Sequence, residues 1–234
     1  VFTEFLGHDI DRIAEILAAF DIIVAMRERT RFPSELFIKL PHLKLLVTAG
    51  MRNGAIDMAA ARERGIDVCG TEMLGYPAFE HTWALILALV KELPKEDLAM
   101  KNGGWQEGFG IGLKGKTLGI VGLGKLGARV AHVGKAFGMD VIAWSPNLTE
   151  QRCAEHGVER ASKEKLFSQS DVITIHMILS ERSRELVGKR ELMLMKSSAY
   201  LVNTSRGPIV NELALIETLQ NRQISGAALD VFDV

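Results

Sequence analysis

The chain has 234 residues, 47% of them hydrophobic, which is enough for the core of one large domain or two small ones. Its 28 basic and 29 acidic side chains leave a net charge of −1, and no basic run is long enough to follow a phosphate backbone, so nucleic acid is not expected as a partner. The most apolar window, Trp83 to Val90, is too short for a bilayer and is flanked by Glu80 and Lys91, so a buried helix is expected there and no membrane association.

Strand and helix patterns alternate from the first residue onward. Residues 1–5 read as a strand, and residues 9–20 as a helix with Ile13, Ile16, Leu17 and Phe20 at helical spacing. A strand at 22–26, a helix opened by proline at 33–40, a strand at 43–48, a helix at 57–64 and a strand at 66–69 follow. A helical pattern then runs from Pro77 towards Met100, with Pro94 expected to kink or break it. Residues 102–116 are glycine-rich and aperiodic and read as a loop. Strands resume at 117–121, 140–144, 172–176, 199–203 and 226–229, with helices between them, including one at 210–221.

Continuous apolar strands alternating with helices signal parallel sheets covered on both faces. The expected fold class is α/β with two tandem parallel-sheet domains, over residues 1–75 and 76–234. Cys69 and Cys153 are far apart and form no metal or redox spacing, and no secretory leader pattern precedes the first strand, which together suit a cytoplasmic protein.

The most informative segment is Thr117–Val121 followed by Gly122-Leu123-Gly124-Lys125-Leu126-Gly127 and a helical pattern. G-x-G-x-x-G between a strand and a helix is the context that a dinucleotide site requires. The first glycine permits the tight turn, the second lets a pyrophosphate approach the backbone, and the third lets helix and strand pack closely. The helix N-terminus then directs its free N–H groups at the phosphates. Because the motif opens the second α/β unit, the first unit is expected to deliver substrate to a nucleotide domain. An acidic residue about 20 positions beyond the glycines would mark NAD. The strand at 140–144 ends instead in Ser145-Pro146-Asn147, with neither a carboxylate to repel a 2′-phosphate nor an arginine to attract one. NAD is expected, with NADP possible; Arg152, on the next helix, is the one cation noted within reach.

Two further strand ends carry candidate chemistry. Val202-Asn203-Thr204-Ser205-Arg206-Gly207 places an arginine at the carboxyl end of a buried strand, where open α/β sheets bind ligands and where a guanidinium can grip a carboxylate through two parallel bonds. Asp230, ending Ala227-Ala228-Leu229-Asp230-Val231-Phe232, can accept from a carboxamide or a ribose. His176 ends the strand between them and reads as a packing residue.

Together, G-x-G-x-x-G at 122–127, V-N-T-S-R-G at 202–207 and A-A-L-D-V-F at 227–232 resemble the D-isomer-specific 2-hydroxyacid dehydrogenase family, of the phosphoglycerate dehydrogenase-like kind. Residues 45–57 (LLVTAGMRNGAID) look like its substrate loop, and Glu80-His81-Thr82 like the start of its interdomain helix. The resemblance implies a flavodoxin-like substrate domain, a Rossmann domain, and hydride transfer between nicotinamide and C2 of a D-2-hydroxy or 2-oxo acid. It implies that Arg206 binds the substrate carboxylate and carbonyl, that Gly122, Gly124, Lys125, Leu126 and Gly127 hold the pyrophosphate, and that Ser145, Met177, Thr204, Ser205 and Asp230 line the cofactor. Arg27 would meet the distal group of the acid, and Gly50, Met51, Arg52 and Asn53 would present backbone N–H groups to its carboxylate.

The resemblance further implies a homodimer built on residues 77–91, where the helical pattern is apolar nearly all round. The family's acid/base histidine and its glutamate fall after the last strand, beyond Val234, and family members carry a strand and helix ahead of Val1. The chain is therefore expected to be part of a longer protein and, by itself, to bind dinucleotide without reducing 2-oxo acids. A nucleotide-sensing co-repressor and a catalytically inactive binding protein of the same family are the alternative readings.

Overall fold

In a computed structural model, residues 6–51, 53–72 and 74–232 are described, apart from the side chain of Arg27. The expected strand at 1–5 and the position of Arg52 lie outside these residues. Two compact units divide the chain, at residues 1–74 and 75–234.

In the first unit, helix α1 (Ile10–Leu17) begins at Asp9, whose carboxylate accepts from the amides of Asp11 and Arg12 at 2.9 and 3.3 Å and satisfies two donors of the helix end. Strand β1 (Ile22–Ala25) follows, then helix α2 (Ser34–Ile38), strand β2 (Leu45–Thr48), helix α3 (Met58–Glu63), capped likewise by Asp57, and strand β3 (Asp67–Gly70). The strands form a parallel sheet in the order β1-β2-β3. Leu36, Phe37 and Leu46 are completely buried in its core, beside Phe32. Burial on β1 alternates, leaving Ile22 and Val24 exposed. The expectation of cover on both faces therefore does not describe this strand.

The second unit opens with helix α4 (Pro77–Val90), then helix α5 (Leu93–Lys101). The single helical pattern expected over 77–100 is thus two helices. The break falls at Lys91 and Glu92, where Glu92 takes a left-handed conformation (φ 54°), and Pro94 sits in the first turn of α5, where a missing N–H costs nothing. Residues 102–116 contain neither helix nor strand.

After them come strand β4 (Thr117–Val121), helix α6 (Lys125–Ala136), strand β5 (Asp140–Trp144), helix α7 (Glu150–His156), strand β6 (Glu159–Arg160) and helix α8 (Lys163–Gln169). Strand β7 (Val172–Ile175), helix α9 (Lys189–Leu194), strand β8 (Tyr200–Asn203), helix α10 (Glu212–Gln220) and strand β9 (Gly226–Leu229) complete it. All six strands are parallel, in the order β6-β5-β4-β7-β8-β9. The order reverses between β4 and β7, so the connections leaving these two strands diverge and open a crevice at their carboxyl ends. Every residue of β7 is buried, as a central strand covered on both faces requires. Helix α4 packs on α6, β8 and β9 and buries Thr82, Trp83, Ile86 and Val90. No helix among the described residues is long and apolar enough to cross a membrane.

Candidate functional site

The three glycines after β4 serve three different physical ends. Gly122 adopts φ 103°, a conformation closed to ordinary side chains, and a Cβ there would lie 2.6 Å from the His176 carbonyl oxygen. Gly127 faces back onto the turn, so that a Cβ would overlap the Gly122 carbonyl. Gly134, two turns further along α6, would press a Cβ to 2.6 Å from the Leu118 side chain of β4. These glycines bring α6 down onto the strand.

Gly124 is different. As the N-cap of α6 its backbone is extended (φ −84°, ψ −160°), and a Cβ there would meet no protein atom within 4 Å. Neither conformation nor internal packing calls for glycine at this point, and the open space lies directly outside the helix end. The first intrahelical bond of α6 runs from Ala128 N to Gly124 O at 2.9 Å, so the amides of Lys125, Leu126 and Gly127 precede it and face the helix end. An exposed Lys125 adds positive charge to the helix dipole. The residues present fit a dinucleotide pyrophosphate.

The neighbouring strand ends are tied to this loop by specific bonds. His176, just beyond β7, donates its amide to Val121 O at 2.8 Å. Its Nε2 lies 3.0 Å from Thr174 Oγ1, and burial pushes its pKa down from 6.5 to about 4, so the ring is neutral near pH 7. Met177, next along, accepts at its carbonyl from the Ser205 hydroxyl. Asn203, buried at the end of β8, donates from Nδ2 to Arg206 O and accepts at Oδ1 from Ser205 N, both at 3.0 Å, which folds the Thr204-Ser205-Arg206 turn over its own side chain. Arg206 is half-buried, its backbone is extended, and its Nη1 donates to Ser205 O at 2.7 Å. Asp230 follows β9, with its amide bonded to Asn203 O at 3.0 Å and its carboxylate 3.3 Å from His81 Nε2. Gly122, Gly124, Lys125, Leu126, Gly127, Met177, Thr204, Ser205, Arg206 and Asp230 thus all lie beyond the carboxyl ends of β4, β7, β8 and β9.

Ser145 is half-buried beyond β5, beside β4, and its carbonyl accepts from Leu148 N at 3.1 Å. Arg152 points its Nη1 to Glu155 on its own helix, at 3.1 Å. It also lines a groove of about 530 Å³ that runs beside α6 and includes Phe79, Lys125, Arg129, His132 and His156.

In the first unit, Gly50, Met51 and Asn53 follow β2, and Arg27 opens a single 3-10 turn after β1 rather than ending the strand. The Gly50 amide donates to Thr71 Oγ1 at 3.0 Å. Asn53 bonds from Nδ2 to Thr48 Oγ1 and accepts from Ala55 N, both at 2.9 Å, so its side chain shapes the loop.

Two contacts assign roles that the sequence reading left out. His81 and Thr82, quoted there only as the start of a helix, reach Asp230 and Thr204 respectively; the Thr82 and Thr204 hydroxyl oxygens are 2.8 Å apart. Polar His81 and Thr82, one turn into a largely apolar helix, are the available signal.

Residues 83–234 match the family model described as the D-isomer specific 2-hydroxyacid dehydrogenase NAD binding domain. The chain is 35% identical over 236 aligned residues to the D-3-phosphoglycerate dehydrogenase of Bacillus subtilis, an alignment covering all of this chain and 45% of that protein. It thus spans about half the length of that relative. Among solved structures it is similar to a phosphoglycerate oxidoreductase from Vibrio cholerae, with a TM-score of 0.91 and 34% identity over 98% of this chain and 74% of the other. It is also similar to a D-lactate dehydrogenase from Aquifex aeolicus solved with NAD and lactic acid, with a TM-score of 0.79 and 32% identity over 94% and 67% of the two chains.

Proposed function

The chain belongs to the D-isomer-specific 2-hydroxyacid dehydrogenase family, and from that premise we propose that it serves in an NAD-dependent oxidoreductase that moves a hydride between nicotinamide and C2 of a D-2-hydroxy or 2-oxo acid. The observation that carries the reading is Gly124 at the N-cap of α6, a glycine that neither its backbone conformation nor a protein neighbour demands, set at the helix end whose first amides are open to an anion. The cofactor supplies the hydride acceptor or donor. The chain's own residues hold and orient it: Gly122, Gly124, Lys125, Leu126 and Gly127 at the pyrophosphate, Ser145 at the adenosine ribose, and Met177, Thr204, Ser205 and Asp230 towards the nicotinamide. Arg206 grips the acid's carboxylate and carbonyl, as a planar fork suits.

In this reading residues 1–75 form a flavodoxin-like substrate domain, in which Arg27, Gly50, Met51, Arg52 and Asn53 meet the acid, and residues 76–234 form the Rossmann domain. The protein works in the cytoplasm as a homodimer joined through residues 77–91. Supporting the dimer, Leu85, Leu87 and Leu89 keep part of their surface open although they pack against the core of the unit, and Trp105 and Phe109 are exposed nearby in sequence. NAD is preferred over NADP because the groups at Ser145 are neutral and Arg152 pairs with Glu155. The relatives named above are a dehydrogenase, an oxidoreductase and a lactate dehydrogenase, so the co-repressor and inactive-binder readings draw no support from them.

Calorimetric titration of NAD into the native protein and into Gly124→Val tests the reading. Loss of roughly tenfold or more in affinity, on the order of 1.4 kcal/mol, is expected with little change in thermal midpoint, since the new side chain enters space the protein does not use. Equal affinities would show that the dinucleotide, if bound, sits elsewhere.

A further inference from the structure

Thr82 and Thr204 come from opposite ends of the second unit, and their hydroxyl oxygens are 2.8 Å apart. Thr82 Oγ1 is also 2.8 Å from the Ala78 carbonyl oxygen, one turn back along α4. Thr82 is completely buried, so its own hydroxyl meets no water, while Thr204 is half-buried. A carbonyl only accepts, and a hydroxyl carries a single proton. Both contacts are hydrogen bonds under one assignment alone: Thr82 donates to Ala78 O, and Thr204 donates to Thr82. The proton of Thr204 is thereby turned inward. Its outward side presents lone pairs only.

We propose that Thr82 is a positioning residue that makes Thr204 a pure hydrogen-bond acceptor, so that this turn selects a dinucleotide whose nicotinamide ring carries an N–H donor, the carboxamide. The inference rests on the reading that Thr204 lines the nicotinamide. With its proton committed, Thr204 rewards the carboxamide NH₂ and offers nothing to a group that only accepts. Without Thr82, the Thr204 hydroxyl rotates freely and donates to a carbonyl as readily as it accepts from an amide. The selectivity then disappears although Thr204 itself is unchanged.

The probes are NAD and its 3-acetylpyridine analogue, in which a methyl group replaces the carboxamide NH₂. Calorimetry gives the ratio of their dissociation constants for the native protein, Thr82→Val, Thr82→Ser and Thr204→Val. One hydrogen bond corresponds to roughly two- to tenfold, and the native protein is expected to favour NAD by at least that factor. Thr204→Val should lower the ratio by that factor, leaving only what Asp230 contributes. Thr82→Val, which keeps the shape and removes the hydroxyl, should do the same, while Thr82→Ser restores the native ratio. A merely structural role for Thr82 would weaken both ligands equally and leave the ratio intact. Should the native ratio persist in Thr82→Val while Thr204→Val lowers it, the proposal falls and the placement of Thr204 stands. Should the native protein bind both ligands equally, should Thr204→Val leave the ratio untouched, or should neither ligand bind, the placement itself is wrong and the proposal falls with it.

Discussion

Acidification should destabilise the second unit through His176, and the size of the effect follows from its surroundings. His176 is half-buried beyond β7, its Nε2 is 3.0 Å from the hydroxyl of the fully buried Thr174, and burial lowers its pKa from 6.5 to about 4. Between those two pH values the unfolded chain takes up a proton that the native ring refuses. The contribution to stability is therefore complete above pH 6.5 and is lost as the pH falls towards 4. The whole interval corresponds to roughly 3 kcal/mol, of which about 2 kcal/mol is gone by pH 5.

Denaturant unfolding of the native protein and of His176→Gln at pH 7 and pH 5 isolates this effect, because the other titrating groups cancel in the difference. The native protein should lose about 2 kcal/mol more than the variant over that range. Titration of the His176 ring protons by NMR provides a direct reading, with a midpoint near 4 expected. A midpoint at or above 6.5, or parallel pH dependences for the two proteins, would refute the argument. The consequence reaches the site, since the peptide of His176 is bonded to Val121 and abuts Gly122.

Gly127→Ala should cost about 2 to 4 kcal/mol of stability, since its methyl group would overlap the Gly122 carbonyl and backbone cannot step aside; a thermal midpoint equal to that of the native protein would contradict the packing described. Within the complete oxidoreductase proposed above, Arg206→Lys should keep its affinity for NAD and lose roughly thirtyfold in kcat/KM for 2-oxo acid reduction, about 2 kcal/mol for the forked contact, and unchanged turnover would make Arg206 a bystander. Ser145→Asp should lower NADP affinity relative to NAD by roughly tenfold through repulsion of the 2′-phosphate; a native NADP preference of that size or more would reveal a cation at the adenosine end. Glu substituted for Leu85 or Leu89 should shift sedimentation from dimer to monomer at micromolar concentration, and a native protein that sediments only as monomer would remove the proposed interface.

Much of the second sheet is legible in the sequence because its central strands are buried on both faces and read as apolar runs. Thr117–Val121, Asp140–Trp144 and Gly226–Leu229 are observed with the bounds expected, and β7 and β8 each lose one residue. Strand β6, with two exposed residues at the sheet's edge, gives no apolar signal and was not anticipated. Pro94 is the strongest breaker in the sequence between α4 and α5, but a proline in the first turn of a helix removes no bond, and the backbone turns at Glu92 instead.

What the sequence alone determined was the chemistry of the glycine turn, because strand, turn and helix are contiguous and each glycine's constraint is local. The spacing at Gly122, Gly124 and Gly127 needs no partner from elsewhere in the chain to be understood. The remainder of the site was decided by tertiary structure. In a parallel sheet, neighbouring strands are separated in sequence by a crossover, and hydrophobic periodicity says that a strand is buried without saying what lies beside it. Only the order β4-β7-β8-β9 brings Met177 to Ser205, and Asn203 to Asp230. Only the packing of α4 against β8 and β9 sets Thr82 on Thr204 and His81 on Asp230. The same holds for the bond from the Gly50 amide to Thr71, a residue brought to it by the pairing of β2 with β3.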